Sequence, residues 1–155
     1  MAHELTGPEA LWFALRKAAT MMERHAEAIV SRETGVSLGL YMVLSVLHAR
    51  DAAVSQQAIA DRLGLTKGTV SRLLDGARSA GLAVTAPSPS SRRERVVTLT
   101  EAGRAVVDAG DAALLHSEIA AFAQREPERA ESMVEGLYAM VAAVQEATAG
   151  RSGPR

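Results

Sequence analysis

Apolar residues recur along this chain first at helical spacing, then briefly at strand spacing, then at helical spacing again. From Gly7-Pro8-Glu9 onward, Leu11, Leu15, Ala18, Met22, Ala26 and Ile29 fall three or four positions apart, which lines one face of a helix. Arg16, Glu23, Glu27 and Arg32 stay off that stripe. Proline at a first helical position gives up no needed N–H, and Glu9 suits the positive dipole end. The pattern therefore predicts a long helix ending near Thr34-Gly35, with a stripe too long for one short neighbour to cover. Val36 and the cap Ser37 open a second helix whose inward face is Leu40, Val43, Leu44 and Leu47. After a loop at 50–53, Val54-Ser55 opens a short third helix with Ile59 and Leu63 inward. Gly64 then supplies the positive φ of a tight turn, and Leu65 packs beneath it.

A fourth helix is predicted from Thr66 to about Ala80, stopped by Gly81. At about 100° per residue, Val70, Leu73, Leu74 and Ala77 gather on one side, with Gly68, Arg72, Asp75 and Ser79 opposite and Thr69 and Ser71 flanking. Gly76 costs such a helix about 1 kcal/mol relative to alanine, which implies local softness or a close approach. The period then changes. Leu82-Ala83-Val84-Thr85 and Arg95-Val96-Val97-Thr98-Leu99 are short β-prone runs, and residues 86–94, rich in proline, serine and arginine, read as a solvated hairpin tip. Thr100 caps a fifth helix through Val106, Val107, Ala113, Leu114, Ile119 and Phe122, with a bend expected at Gly110. Glu126-Pro127-Glu128 opens a sixth that carries Ala130, Met133, Val134, Leu137, Val141 and Val144, followed by a disordered tail at 150–155. The fold class is mainly α with a small β-hairpin: a winged helix-turn-helix over residues 37–99, within a single chain 1–155.

Composition adds exclusions and one asymmetry. With 155 residues, 48% hydrophobic and 23% charged, the chain can supply a core for one compact or lobed subunit. No window approaches the roughly 18 to 20 apolar residues of a membrane span, and Met1-Ala2-His3-Glu4 lacks the segments of a signal peptide. A cytoplasmic protein with no membrane partner is expected. The absence of cysteine excludes disulfides, thiolate metal sites and cysteine redox sensing. The formal charge of −1 hides a segregation: residues 62–95 hold seven Arg/Lys against two Asp/Glu, whereas 1–61 hold five against seven and 100–155 five against nine. Positive charge thus coincides with the fourth helix and the hairpin, as a footprint for phosphates would.

That coincidence points to duplex DNA. Thr66, Lys67 and the helix N-terminus suit phosphate, while Ser71, Arg72, Gly68 and Thr69 suit base edges, with Arg72 central. On the hairpin, Arg93 suits the minor groove and Arg92 and Arg95 suit phosphates, loose surface charge being the alternative. The competing class is a winged-helix interaction module that binds a protein instead of DNA. Trp12, Arg16, Tyr41, Ser45 and His48 could line an apolar effector pocket with a few polar groups, or simply pack. His3, His25, His48 and His116 lack ligand spacing, so no metal site is expected. No phosphate-cradling glycine loop or placed nucleophile emerges either, which argues against an enzyme and against a cofactor.

Taken together, Thr69-Val70-Ser71-Arg72-Leu73, Gly81-Leu82, Arg92-Arg93 and Val96-Val97-Thr98-Leu99-Thr100-Glu101-Ala102-Gly103 resemble the MarR family of winged helix-turn-helix transcriptional regulators. The order of six helices and one hairpin is similar over nearly the whole chain. The resemblance implies a homodimer whose dimerisation lobe comprises 8–34 and 100–149. It implies regulation, as a repressor in the first instance, through pseudopalindromic double-stranded DNA, and release by a small aromatic or anionic effector. The chain departs from the family pattern in three places. Ser91 stands where the wing usually has an acid, Thr85 where a basic residue is common, and Gly76-Ala77 where a basic-leucine pair is usual.

Overall fold

Hydroxyl caps set the helix starts. In the computed structural model, which describes residues 7–49, 54–87 and 95–151, the elements are α1 (Gly7–Thr34), α2 (Leu38–His48), α3 (Gln56–Leu63), α4 (Lys67–Ser79), β1 (Ala83–Pro87), β2 (Arg95–Leu99), α5 (Glu101–Leu114), α6 (Glu118–Arg125) and α7 (Pro127–Arg151). Ser37, Ser55, Thr66, Thr100 and Ser117 each accept a hydrogen bond from the backbone N–H three residues on. Each satisfies one of the donors a helix start leaves open. Gly64 (φ 64°) and Gly81 (φ 71°) take the left-handed conformation that ends α3 and turns the chain out of α4.

The expected inward faces of α2, α3 and α4 meet. Val43, Val46, Leu47, Ile59, Ala60, Val70 and Leu74 form one buried cluster, with Val54, Leu63, Leu65 and Leu73 packed around it. Leu44, Ala77, Leu82, Ala83 and Val107 form a second, joined by Val36, Leu40 and Val106. β1 and β2 pair antiparallel with Thr85 opposite Val97 and Pro87 opposite Arg95. Val97 and Leu99 reach both clusters, so the hairpin root is part of the core.

Several expectations are corrected. The fifth helix does not run to Phe122: it ends at Leu114, and α6 starts anew behind the buried cap Ser117. Gly110 is no bend. It lies within continuous α5, and a Cβ there would land on the Tyr41 ring of α2. Gly76 meets no close approach either, since nothing lies within 4 Å of where its Cβ would be. α7 continues through Gly150 to Arg151, so the expected tail is shorter, and its residues 152–155 lie outside the described ones, as does the expected loop at 50–53. Of the α1 stripe, Leu15, Ala26 and Ile29 are half-buried while Leu11, Ala18 and Met22 are exposed. The fully buried residue of α1 is Val30, which the stripe omitted.

The chain divides into a unit spanning residues 1–115 and a second spanning 116–155. In the first, α1 packs along α5, and α2 touches α4, α5 and β2. In the second, α6 packs on α7, whose Met133, Val134, Leu137, Tyr138, Val141 and Val144 are exposed. Among the described residues no helix is long and apolar enough to cross a membrane.

Candidate nucleic-acid interface

α4 shows a polar side because its apolar side is consumed by the core. Val70, Leu74 and Ala77 are fully buried, whereas Lys67, Gly68 and Arg72 are exposed and Thr69 and Ser71 half-exposed. Lys67 and Arg72 make no ion pair with any described residue, so both cations are available to an outside anion. Thr66 Oγ1 accepts from the Thr69 backbone N–H at 3.2 Å and lies 2.9 Å from Thr69 Oγ1. Both hydroxyls are therefore tied first to the helix start, which they hold rigid. The positive dipole end of a helix with an exposed lysine beside it attracts anions.

The hairpin is fixed to α4 by residues whose role only the structure reveals. Thr100 donates its backbone N–H to the Leu82 carbonyl at 3.0 Å and its hydroxyl to the Gly81 carbonyl at 2.8 Å. Its hydroxyl also accepts from the Gly103 N–H at 3.0 Å. Gly103 has no room for a side chain, because a Cβ would strike the Leu82 carbonyl oxygen. The Gly81-Leu82 pair and the Thr100–Gly103 run, far apart in sequence, are thus two sides of one joint. Arg95 opens β2 opposite Pro87, and Arg92 and Arg93 lie outside the described residues.

The five expected pocket residues separate. Tyr41, Ser45 and His48 line a groove of about 330 Å³ between α2, the end of α3 and α5, together with Arg62 and Asp111, which sequence reasoning missed. Trp12 and Arg16 do not line it. Trp12 is 58% exposed on α1, edge-on to Phe13, with the Arg16 guanidinium 5.8 Å from its ring centre. In the groove the Tyr41 hydroxyl donates to Asp111 Oδ1. Burial first, then this hydrogen bond, pushes the Tyr41 phenol up to about 12, against a lowering by the nearby Ser45 hydroxyl. That hydroxyl is itself buried and meets no hydrogen-bond partner within normal geometry. His48 Nε2 stands 3.8 Å from Asp108 Oδ1, so α2 faces two acids of α5. Among the described residues no three His, Asp or Glu side chains gather to hold a metal ion.

Two helices joined by a left-handed glycine, with the second helix exposing cations and followed by an antiparallel hairpin, define a winged helix-turn-helix. Residues 34–94 match the model described as the MarR family. A MarR/EmrR family transcriptional regulator from Acinetobacter sp. ADP1 superposes with a TM-score of 0.79 at 18% identity, covering 92% of this chain and 99% of that one. The S. aureus MepR–DNA complex gives 0.73 at 22%, covering 85% and 94%. CouR from Rhodococcus jostii RHA1, bound to p-coumaroyl-CoA, gives 0.70 at 23%, covering 86% and 90%. No curated protein matches the chain by sequence. The family model matched by residues 34–94 and these structural neighbours are MarR-type winged-helix regulators, and the chain shares their fold.

Proposed function

We propose that this chain is a dimeric DNA-binding repressor. The observation that carries the reading is the exposed side of α4, where Lys67 and Arg72, without an ion pair among the described residues, stand beside Ser71, Gly68 and Thr69 while the opposite side is sealed in the core. Lys67 and the α4 N-terminus, with Thr66, take phosphate, and Arg72 with Ser71 reads base edges in the major groove. The hairpin brings Arg93 to the flanking minor groove, with Arg92 and Arg95 on phosphates. The S. aureus MepR–DNA complex, sharing this fold, supports the mode. Such a protein acts in the cytoplasm, with the DNA.

Two copies complete the machine. Leu11, Trp12, Phe13, Met21 and Met22 on α1 and the stripe on α7 are exposed in the single chain, and clustered exposed apolar residues mark surfaces of association. A two-fold dimer through segments 8–34 and 100–149 covers it and sets two recognition helices about 34 Å apart, carried by lobes 37–99. The groove beside Tyr41, Ser45 and His48 receives a small aromatic or anionic effector, with Arg62 for the anion and Ser45 Oγ for a hydrogen bond. The CouR complex with p-coumaroyl-CoA supports small-molecule control in this fold. The effector releases DNA only by preferring one dimer geometry over another.

Selection of bound sequences from random duplexes tests this. A two-fold symmetric site, bound with an affinity that falls steeply with salt, is expected. No enriched sequence, or salt-insensitive binding, would favour a winged helix that binds a protein partner.

A further inference from the structure

The seven cations of residues 62–95 are not equivalent. Lys67 and Arg72 are exposed and make no ion pair with any described residue, whereas Arg78, half-buried in the last turn of α4, is engaged by partners within the chain. Its Nη2 donates to Asp75 Oδ1 one turn back, and its Nη1 donates to Thr85 Oγ1 on β1 at 3.3 Å. The guanidinium therefore bridges the recognition helix to the hairpin. Its charge meets the Asp75 carboxylate, which would otherwise stand on the DNA-facing side of α4 and repel phosphate.

The position of the bridge matters more than its strength. Thr100 already fixes the hairpin at its root, through the Gly81 and Leu82 carbonyls. Beyond that joint Val97, opposite Thr85, packs the β2 side on the core, and the Arg78 bond ties the β1 side to α4 at the same register; a two-stranded ribbon is weakly stable without such ties. Thr85 is three residues beyond Leu82, roughly 10 Å further out at the rise of a strand, and two before the end of β1 at Pro87. Pinned at two points, the hairpin has a direction as well as an origin. We propose that Arg78 is a positioning residue: held by Asp75 and bonded to Thr85, it sets the angle at which the hairpin leaves α4, and hence where the hairpin meets DNA. Thr85, where a basic residue is common in this fold family, serves here as the acceptor for a cation supplied by the helix.

This inference rests on DNA binding by α4 and the hairpin, and its test separates the two. Thr85→Val keeps shape, strand preference and charge but removes the acceptor. In the full chain, on the selected duplex, it is expected to weaken binding about fivefold, the worth of one such hydrogen bond. Hydroxyl-radical protection should be lost at the site flanks and kept at its centre, and Thr85→Ser should restore both. Arg78→Met should lose the same flank protection and weaken binding further, because Asp75 is then unmasked, and adding Thr85→Val to Arg78→Met should cost nothing more. Amide hydrogen exchange of β1 and β2 in the free protein should rise in Thr85→Val, a readout that needs no DNA. Wild-type flank protection in Thr85→Val, or additive losses that make Arg78 a direct phosphate ligand, would overturn the proposal. If the wild-type chain binds no duplex, the DNA reading fails, and unchanged exchange in Thr85→Val would then sink the bridge as well.

Discussion

α2 and α7 make an instructive pair. Both carry apolar residues at helical spacing, but Tyr41, Val43, Leu44, Val46 and Leu47 of α2 are buried within the chain, while Met133, Val134, Leu137, Tyr138, Val141 and Val144 of α7 are exposed, Tyr138 at 72%. Burial of apolar area is worth about 25 cal/mol per Å² whichever molecule supplies the cover. The α2 face gains that stabilisation when the single chain folds. In the proposed dimer the α7 face gains it only from the second copy, which would tie stability to assembly. A hydrophobic pattern tells which face wants cover and is silent on whose atoms provide it.

The largest expected effect contrasts the two directly. Leu44→Ala opens a cavity in the core between α2, α4 and α5 and is expected to cost about 2 to 5 kcal/mol in denaturant unfolding. Leu137→Ala, on exposed α7, should change the unfolding of dilute chain by no more than about 0.5 kcal/mol. It should, however, shift sedimentation toward monomer and reduce the concentration dependence of unfolding. Equal losses in dilute solution would mean that α7 is already covered within one chain, and the contrast would be lost.

Next comes the contact of α2 with α5. Gly110→Ala drives a methyl into the Tyr41 ring, which its bond to Asp111 holds in place, and overpacking of this kind costs about 1 to 3 kcal/mol. Tyr41→Phe keeps the ring and removes the hydrogen bond, for about 1 kcal/mol at neutral pH. The pH dependence carries a sign. The folded phenol is raised from 10.0 to about 12, so the unfolded chain releases its proton first as pH rises. The stabilisation is therefore whole below pH 10 and lost between about 10 and 12. Unfolding midpoints followed over that range should fall faster for the wild type than for Tyr41→Phe, and parallel curves would refute the burial of this phenol.

The same contrast explains what could be read from sequence. Caps and turns were legible because they are local: Ser37, Ser55, Thr66 and Thr100 act on N–H groups three residues away, and Gly64 and Gly81 act on their own φ. The inward faces of α2, α3 and α4 were legible because their cover lies in the same short stretch. Gly110 was misread as a bend because its reason is a ring 69 positions earlier in the sequence, Tyr41. Asp111, Arg62 and the Arg78–Thr85 bond were missed for the same cause, since no spacing announces a partner on another element. Trp12 and Arg16 were grouped with Tyr41 on residue type alone, and the structure leaves them together on α1, away from the groove.

The smallest effect probes α4, where the two kinds of face share one helix. Gly76 lies in its second half on the exposed side, with a helical φ and no atom within 4 Å of where an alanine methyl would sit. The departure from the family pattern there is thus not forced by packing. Gly76→Ala removes backbone freedom from the unfolded chain without adding a clash, and should raise stability by up to about 1 kcal/mol in thermal unfolding. Recognition helices read bases from their N-terminal residues, and Lys67 to Arg72 stand at least one turn away from Gly76. Affinity for the selected duplex should therefore stay unchanged while stability rises. A stabilised variant that binds DNA less tightly would show the opposite, that the duplex approaches the second half of α4 closely enough for a single methyl to be felt.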